Sequence, residues 1–163
     1  MRRIRGRGAS LDELEEVYRR DFDRFLRTAT AIAGDVEAGH DAVQEAFASA
    51  VRTREQFRGE GPVEAWLWRA VVTRARNERR RMLPAAFAET EPAGDSLPDR
   101  DAALRAAVSA LPERQRHVLF LRYFADLDYR AVAEALGIKT GTVSATLSQA
   151  HAALRIELEE VAP

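Results

Sequence analysis

The pattern of hydrophobic and polar positions is helical along almost the whole chain. In the first segment, apolar residues recur every three or four positions from Leu14 to Ile32. A capping-box sequence that starts at Ser10 precedes them, and Gly34 follows at a position where a helix should end. The pattern therefore predicts a long first helix between Ser10 and Gly34.

A second helix is predicted to begin at Asp35 and to separate its apolar residues from its acidic ones. One face would carry the apolar side chains, and the polar ones would lie on or beside the opposite face. The acidic side could be a solvated face, or it could dock on a basic partner, and the pattern leaves both open. The apolar positions are Val36, Val43, Phe47 and Val51, and the polar positions are Glu37, Asp41, Gln44 and Glu45.

A third helix is predicted to begin at Pro62, because proline is tolerated in a first turn, where its missing N–H would have no partner. The spacing predicts Trp66 in the core and Trp68 exposed among arginines. The predicted buried stripe is Val63, Trp66, Leu67, Ala70 and Val71, and the opposite face would carry Trp68, Arg69, Val72, Arg76, Arg79 and Arg80.

The pattern in the second half of the chain predicts shorter helices in a helix-turn-helix order. Residues 101 to 110 form one predicted helix, and another begins at Pro112. A helix from Tyr129 to Leu136, a turn at Gly137 and a longer helix from about Thr140 follow. This order is typical of DNA-reading domains, although helical hairpins also occur in bundles that bind no nucleic acid. No segment has the alternating pattern of a strand.

The two helical groups are separated by residues 82–99, which are rich in proline, glycine and serine. The predicted fold class is all-α, with two small helical domains at 11–81 and 101–158 joined by a flexible acidic linker at 82–100. A basic tail would occupy 1–10 and a C-terminal tail 159–163. Charge supports the division, since residues 62–81 hold six Arg and two Glu, whereas 82–101 hold five acidic residues and one Arg.

Composition excludes several classes of function. The 163-residue chain has no cysteine, so it has neither disulfides nor thiolate metal sites. No long apolar run is present, and none follows the basic N-terminus, so we expect a cytoplasmic protein without membrane insertion. The three His are far apart, and no catalytic or phosphate-binding motif is visible. We therefore expect no enzyme activity, no metal site and no cofactor.

The predicted outer face of the third helix is the strongest candidate for function. Its arginines could bind phosphates, and the ring of Trp68 could stack on an unpaired base. The alternative is a solvated arginine-rich face, in a chain whose only lysine is Lys139.

Two blocks of motifs follow one another along the chain. The first holds Asp-Ala-Val-Gln-Glu-Ala-Phe at 41–47, Phe-Arg-Gly at 57–59 and Ala-Trp-Leu-Trp-Arg at 65–69. The second holds Leu-Pro-Glu-Arg-Gln-Arg at 111–116, Leu-Arg-Tyr-Phe at 121–124, Leu-Gly-Ile at 136–138 and Gly-Thr-Val at 141–143. In this order they resemble regions 2 and 4 of the extracytoplasmic-function group of the sigma-70 family, over nearly the whole chain.

The resemblance implies a transcription initiation factor that directs core RNA polymerase to promoters and assists their opening. The first domain would bind the polymerase β′ clamp and the minus-10 element, and the second the β flap and the minus-35 element. An anti-sigma factor is a further implied partner. The implied residues are Asp41, Gln44 and Glu45 for polymerase; Phe57, Trp68, Arg69, Thr73, Arg76, Arg79 and Arg80 for minus-10 DNA; and Arg114, Arg130, Lys139, Thr142, Ser144, Ser148 and Gln149 for minus-35 DNA.

Two departures from the family pattern modify these expectations. Thr73 stands where the family often has Asn, so the amide that could pair with an extruded base is missing. The last helix has neutral residues where basic ones are common, which predicts weak minus-35 affinity. These positions are Ser144, Thr146, Gln149 and His151.

Two rival functions remain open from the sequence. One is a helix-turn-helix DNA-binding regulator that does not join the polymerase. The other is a helical protein-interaction module.

Overall fold

The computed structural model describes residues 8–82 and 99–161, and within these ranges the chain is helical and contains no strand. The all-α prediction is confirmed. The helices are α1 Leu11–Ala33, α2 Val36–Thr53, α3 Val63–Met82, α4 Asp99–Ala110, α5 Glu113–Tyr123, α6 Tyr129–Leu136 and α7 Thr140–Val161, with a 3-10 turn at Arg54–Gln56. The predicted linker falls mainly on residues 83–98, which lie outside the described ranges.

Helix α1 begins and ends, and helix α2 begins, at the capping residues that the sequence predicts. The Ser10 hydroxyl accepts a hydrogen bond from the Glu13 N–H at 3.1 Å, and the Glu13 carboxylate accepts one from the Ser10 N–H at 2.8 Å. Gly34 then ends α1 with a φ of 85°. The Asp35 carboxylate caps α2 by accepting from the Ala38 N–H at 2.9 Å. Caps of this kind contribute about 1 kcal/mol each, so these local signals position both helices.

Helices α1, α2 and α3 pack into an N-terminal bundle around a mainly apolar core. The ring of Phe25 is fully buried and contacts Phe47 edge-on at 5.3 Å and Trp68 at 4.1 Å, measured between ring centroids. Aromatic pairs at these separations add to the stabilisation from burial alone. The core of this domain is therefore aromatic and lies where all three helices meet.

The predicted buried face of α3 is wrong, because the structure turns the helix by about one residue's rotation, roughly 100°. Trp68 is fully buried, and Val72 is 1% exposed. Trp66 lies on the far side of the helix and is only half-buried. The buried stripe is Leu67, Trp68, Val71, Val72 and Ala75. Trp66 and Trp68 therefore exchange the roles that the spacing predicts for them.

The predicted apolar face of α2 is wrong at its two ends. Val36 is 61% exposed and Val51 is 40% exposed, whereas Val43 and Phe47 between them are buried. Small residues provide most of the rest of the packing face. They are Ala38, Gly39, Ala42, Ala46 and Ala50. Small side chains let α2 approach α1 closely, and a packing pattern based on alanine carries little hydrophobic contrast in the sequence.

Helices α4 to α7 form the C-terminal domain, in which α6 and α7 are the predicted helix-turn-helix. The Asp128 carboxylate caps α6 by accepting from the Ala131 N–H at 2.8 Å, and Gly137 ends it with a φ of 66°. Val143 and Leu147 of α7 are buried against the other helices. The predicted order of short helix, glycine turn and long helix is confirmed. No helix in 8–82 or 99–161 is long and apolar enough to cross a membrane.

The two domains contact each other mainly along two pairs of helices. Helix α3 lies against α6, and α1 lies against α5. The face of α3 that points away from its own bundle is therefore only partly open to solvent.

Candidate nucleic-acid and partner surfaces

The acidic surface of α2, which consists of Asp41, Gln44 and Glu45, is exposed at all three positions. The Glu45 carboxylate lies 3.0 Å from Nη2 of Arg52 and 3.7 Å from Nη2 of Arg74 on α3. Asp41, one turn earlier, and Gln44, the preceding residue, are exposed to solvent. The predicted outward position of this surface is confirmed, and the ion pairs hold Glu45 beside α3.

The outer groove of α3 is a surface depression of about 470 Å³ that α2 borders on one side. The half-buried Trp66 forms part of it, and the cations Arg69 and Arg74 flank it. The exposed Thr73 hydroxyl donates to the Arg69 carbonyl at 2.7 Å, so its proton is already engaged. Ser49, Trp66, Arg69, Ala70, Thr73, Arg74 and Asn77 line the groove. It combines a flat aromatic surface with positive charge, which is the chemistry that an unpaired nucleotide requires.

Phe57 extends this aromatic surface from the loop before α3. Its ring lies 5.4 Å from that of Trp66, and both rings border a cleft of about 620 Å³ between the two domains. Gly59 and Gly61 have φ values of 70° and 140°, which bend the loop back onto the helix. The predicted minus-10 residue Phe57 therefore lies beside Trp66, and Trp68 is not part of this surface.

Trp68 is unavailable for base stacking because its ring is enclosed within the protein. Phe25 covers one side, and the guanidinium carbon of Arg24 lies 6.0 Å from the ring centroid. The indole Nε1 has no hydrogen-bond partner among the described residues. The exposed position predicted for Trp68 is therefore wrong.

A charged network inside the first domain was missed by the sequence interpretation. Asp21 is only 2% exposed, and its carboxylate accepts from Arg20 at 2.8 and 3.0 Å and from Arg24 at 2.6 Å. The hydrogen bond from Arg20 to this carboxylate raises the pKa of Arg20, and the negative charge of Asp21 adds to the effect. Asp21 lies between Val17 and Phe25 on the apolar stripe of α1. An acidic residue on an apolar stripe was the sequence signal for this network, since a buried carboxylate requires partners.

Arg24 also crosses to the second domain. Its Nε and Nη2 both donate to the carbonyl oxygen of Ala125, with the Nε contact at 2.8 Å. Ala125 precedes Asp126, whose φ of 51° is unusual for a residue other than glycine. The loop between α5 and α6 thus presents a backbone carbonyl to a side chain of α1.

A second polar contact joins α3 to α5. Nε of Arg76 lies 3.5 Å from the Glu113 carboxylate, and Arg76 and Arg79 are both half-buried. His117 is 3% exposed beneath them, and burial lowers its pKa to about 4. The nearby arginines lower the pKa of His117 further, while Glu113 opposes them. Arg76, a predicted minus-10 cation, therefore faces the second domain, whereas Nη1 of Arg79 lies 2.8 Å from the position of a Cβ on Gly34 in the first domain.

The outer side of α7 is exposed and neutral, as the sequence predicts. Ser144, Ser148 and Gln149 are exposed, and Thr142 is half-buried. Thr146 is 6% exposed, so the missing charge at that position does not affect this surface. His151 is exposed, and its Nε2 lies 2.9 Å from the Tyr123 hydroxyl.

The predicted minus-35 cations are spread over three elements. Arg114 lies in the first turn of α5, and Lys139 lies just before α7, both exposed. Arg130 on α6 pairs with Glu134 at 3.1 Å and lines the cleft opposite Trp66. Arg130 therefore lies beside the cleft between the two domains, which Trp66 of α3 also borders. The described residues contain no group of three or more His, Asp or Glu arranged to hold a metal ion.

Comparison with known proteins matches two family models to this chain. The family model for Sigma-70 region 2 matches residues 17–82, and the model for Sigma-70, region 4 matches residues 101–154. The RNA polymerase sigma-E factor of Streptomyces antibioticus is 33% identical over 154 residues, which cover 90% of this chain and 85% of that protein. The ECF RNA polymerase sigma factor SigW of Bacillus subtilis is 24% identical, covering 91% of this chain and 89% of its own.

A solved structure shares the fold over both domains. It is that of the sigma factor RpoE from Bartonella quintana in complex with the anti-sigma factor NepR. Its TM-score is 0.69 at 19% identity, and the similarity covers 91% of this chain and 98% of that one.

Proposed function

Because this chain belongs to the extracytoplasmic-function group of the sigma-70 family, we propose that it directs core RNA polymerase to promoters and assists their opening through the surfaces described above. The observation that carries the proposal is the outer groove of α3, where the exposed face of Trp66 lies among cations. The chain would act in the cytoplasm by binding, and the polymerase would supply the chemistry.

The minus-10 element would be held by the domain at 11–81. We propose that an unpaired base of this element stacks on Trp66 and Phe57, while Arg69 and Arg80 contact phosphates. The exposed Asn77 lies one helical turn beyond Thr73 on the same groove. Its side-chain amide offers both a donor and an acceptor, and so replaces the function that Thr73 lacks.

Polymerase would dock on the acidic surface of α2. Asp41 and Gln44 are free to meet a basic partner, and charge of this kind mainly raises the rate and specificity of association. The docking surface and the outer groove of α3 lie on adjacent helices, which Glu45 and Arg74 connect. A polymerase bound at α2 would therefore hold the groove near the DNA that is to be opened.

The minus-35 element would be read by the domain at 101–158, with α7 as its recognition helix. Ser144, Ser148 and Gln149 can contact base edges, and Arg114 and Lys139 can contact phosphates on either side. The neutral outer side of α7 predicts that this domain depends on the polymerase for proximity to DNA. An anti-sigma factor is a further proposed partner, supported by the complex in which the related fold was solved.

The test is transcription by core polymerase and the purified chain on genomic DNA, with transcript starts mapped. The variant Asp41→Arg with Glu45→Arg should lose polymerase binding and transcription while its circular dichroism is unchanged. The control Glu15→Arg with Glu16→Arg makes the same charge change on exposed positions of α1 and should behave as wild type. Normal holoenzyme formation by the α2 variant would refute the docking surface, and failure of the wild-type chain to bind polymerase would refute the proposed function.

A further inference from the structure

The segment that carries the stacking surface of the first domain is lightly packed. None of residues 51–66, all of which the structure describes, is buried, and Leu67 is the first buried residue of α3. Phe57 and Trp66 pack against the edge of the core and are only half-buried. The loop between them contains two glycines with positive φ, and glycine is the most costly residue to order. Burial therefore contributes little to fixing these two rings.

An ion pair attaches the first turn of α3 to α1. Nη2 of Arg20 lies 2.9 Å from the Glu64 carboxylate, and Nη1 of Arg24 lies 3.9 Å from the same group. Glu64 and Trp66 are two positions apart, so their side chains point to nearly opposite sides of the helix. The ion pair therefore attaches one side of this turn to α1 and leaves Trp66 on the outer side.

The buried carboxylate of Asp21 orients Arg20. Asp21 is 2% exposed and accepts from Nε and Nη2 of Arg20 at 3.0 and 2.8 Å. Two donors of one planar guanidinium fix its direction, and the same Nη2 donates to Glu64. Without such a contact, a long side chain that is 50% exposed would sample many rotamers. Asp21 therefore restricts Arg20 to the geometry that reaches α3.

Stability alone does not explain an acid at this position. Asp21 lies on the apolar stripe of α1, and an apolar residue often stabilises such a site as well as a buried ion pair or better. An apolar residue could not, however, orient a guanidinium towards the start of α3. The contact with Arg20 and Glu64 is thus what the carboxylate adds.

We propose that a charged anchor, formed by Asp21, Arg20 and Glu64, positions the rings of the first domain for stacking on an unpaired base. The proposal rests on the proposed function, which assigns this stacking to Phe57 and Trp66. The three anchor residues are positioning residues, because they act through α3 and not on the base itself. Rings that are ordered before DNA binds lose less freedom on binding, so more of the stacking free energy appears as affinity.

The chain offers a matched pair of variants. Glu64→Gln removes the charge that Arg20 contacts and keeps the size of the side chain. Glu60→Gln makes the same charge change four residues earlier, at an exposed position that has no ion pair within the described ranges. Loss of a negative charge near DNA should favour phosphate binding similarly in both. A difference between the two variants therefore reports the anchor rather than the net charge.

The order of Trp66 can be measured in the free chain. Trp68→Phe leaves Trp66 as the only tryptophan, since the sequence contains two. In this background Glu64→Gln should raise acrylamide quenching of the Trp66 emission and lower its anisotropy, whereas Glu60→Gln should match the parent. Unchanged quenching and anisotropy in a folded Glu64→Gln chain would overturn the anchor.

DNA binding tests the positioning role in the chain with both tryptophans, assembled with core polymerase. The probe is a fluorescent single strand that carries the minus-10 element of a mapped promoter. Glu64→Gln should bind it roughly two- to fivefold more weakly than Glu60→Gln, the range expected for a partly exposed ion pair. In a Trp66→Ala chain this difference should largely disappear, because the anchor acts through that ring. Equal affinity of the two variants, or a difference that persists without Trp66, would overturn the positioning role.

A double variant tests the pairing of Arg20 with Glu64. Arg20→Gln should weaken binding as Glu64→Gln does, and the double variant should bind no more weakly than the weaker single one. Additive losses would overturn the pairing. Polymerase binding is measured separately, so a chain that never binds polymerase would refute the proposed function, while the emission of Trp66 would still decide whether the anchor orders the ring.

Discussion

Replacing each tryptophan of α3 in turn separates stability from promoter opening. Trp68 is fully buried and lies 4.1 Å from Phe25, so Trp68→Ala should create a cavity in the core. Removal of a large buried aromatic side chain costs roughly 3–5 kcal/mol, and a small domain is stable by about 5–15 kcal/mol in total. We therefore expect Trp68→Ala to lose a large share of the free energy of unfolding.

Trp66→Ala should have the opposite profile. Its side chain is half-buried against Phe57, so the loss of packing should be on the order of 1 kcal/mol. If Trp66 stacks on an unpaired base, promoter opening should weaken by roughly 1–3 kcal/mol. The variant should therefore remain folded and bind polymerase, but open promoters roughly five- to 150-fold less well.

The assays are urea unfolding followed by circular dichroism and permanganate footprinting of promoter complexes. Trp68→Phe is the control, because it keeps an aromatic ring beside Phe25 and removes an indole N–H that has no partner among the described residues. We expect it to cost far less stability than Trp68→Ala. A Trp68→Ala chain of normal stability that fails to open promoters would refute the assignment, as would normal opening by Trp66→Ala.

Three further changes test other parts of the structure. The pKa of His117 is about 4 in the folded chain against an ordinary value of 6.5, so the unfolded chain binds a proton more readily than the folded one. The folded state should therefore lose stability as the pH falls from about 6.5 towards 4. Between pH 7 and pH 5 the free energy of unfolding should fall by about 2 kcal/mol more in the wild type than in His117→Gln, as measured by urea unfolding. An equal pH dependence in both chains would contradict this prediction. Ser144→Lys with Gln149→Arg should raise the affinity of the chain for many duplexes and lower its preference for the cognate one, as measured by anisotropy; an unchanged affinity would show that α7 does not approach the phosphates. Gly39→Ala should destabilise the first bundle by about 1–3 kcal/mol in thermal unfolding, because its Cβ would lie 2.7 Å from the backbone of Thr30, and an unchanged melting temperature would contradict this contact.

Helix boundaries could be predicted from the sequence because they depend on local chemistry. Ser10, Asp35 and Asp128 cap helices through their own side chains, and Gly34 and Gly137 end helices by adopting a positive φ. Each signal acts within a few residues, so no tertiary contact is required to interpret it.

The buried face of α3 could not be predicted from its hydrophobic pattern. Tryptophans at 66 and 68 lie about 160° apart on a helix, so periodicity alone permits either one to be the core residue. The choice depends on Phe25 of α1, which provides the stacking partner for Trp68. The buried stripe also borders the second domain, and a face covered by a separate domain has no local signal at all.

The division of the α3 arginines between protein contacts and solvent determines how the free chain should respond to salt. Arg74 and Arg81 pair with Glu45 and Glu78, both in the first domain, whereas Arg76 pairs across the interface with Glu113. The remaining arginines of this helix, Arg69, Arg79 and Arg80, have no ion pair within the described ranges. Three available cations give a logarithmic slope of about 3 against salt for duplex DNA, and all six would give about 5. Only the pair at Arg76 joins the two domains, so Glu113→Gln should steepen the slope by about one and no more. A slope near 5 for the wild-type chain would mean that DNA displaces all three carboxylates that pair with α3 arginines, which are Glu45, Glu78 and Glu113, and would contradict the count of three available cations.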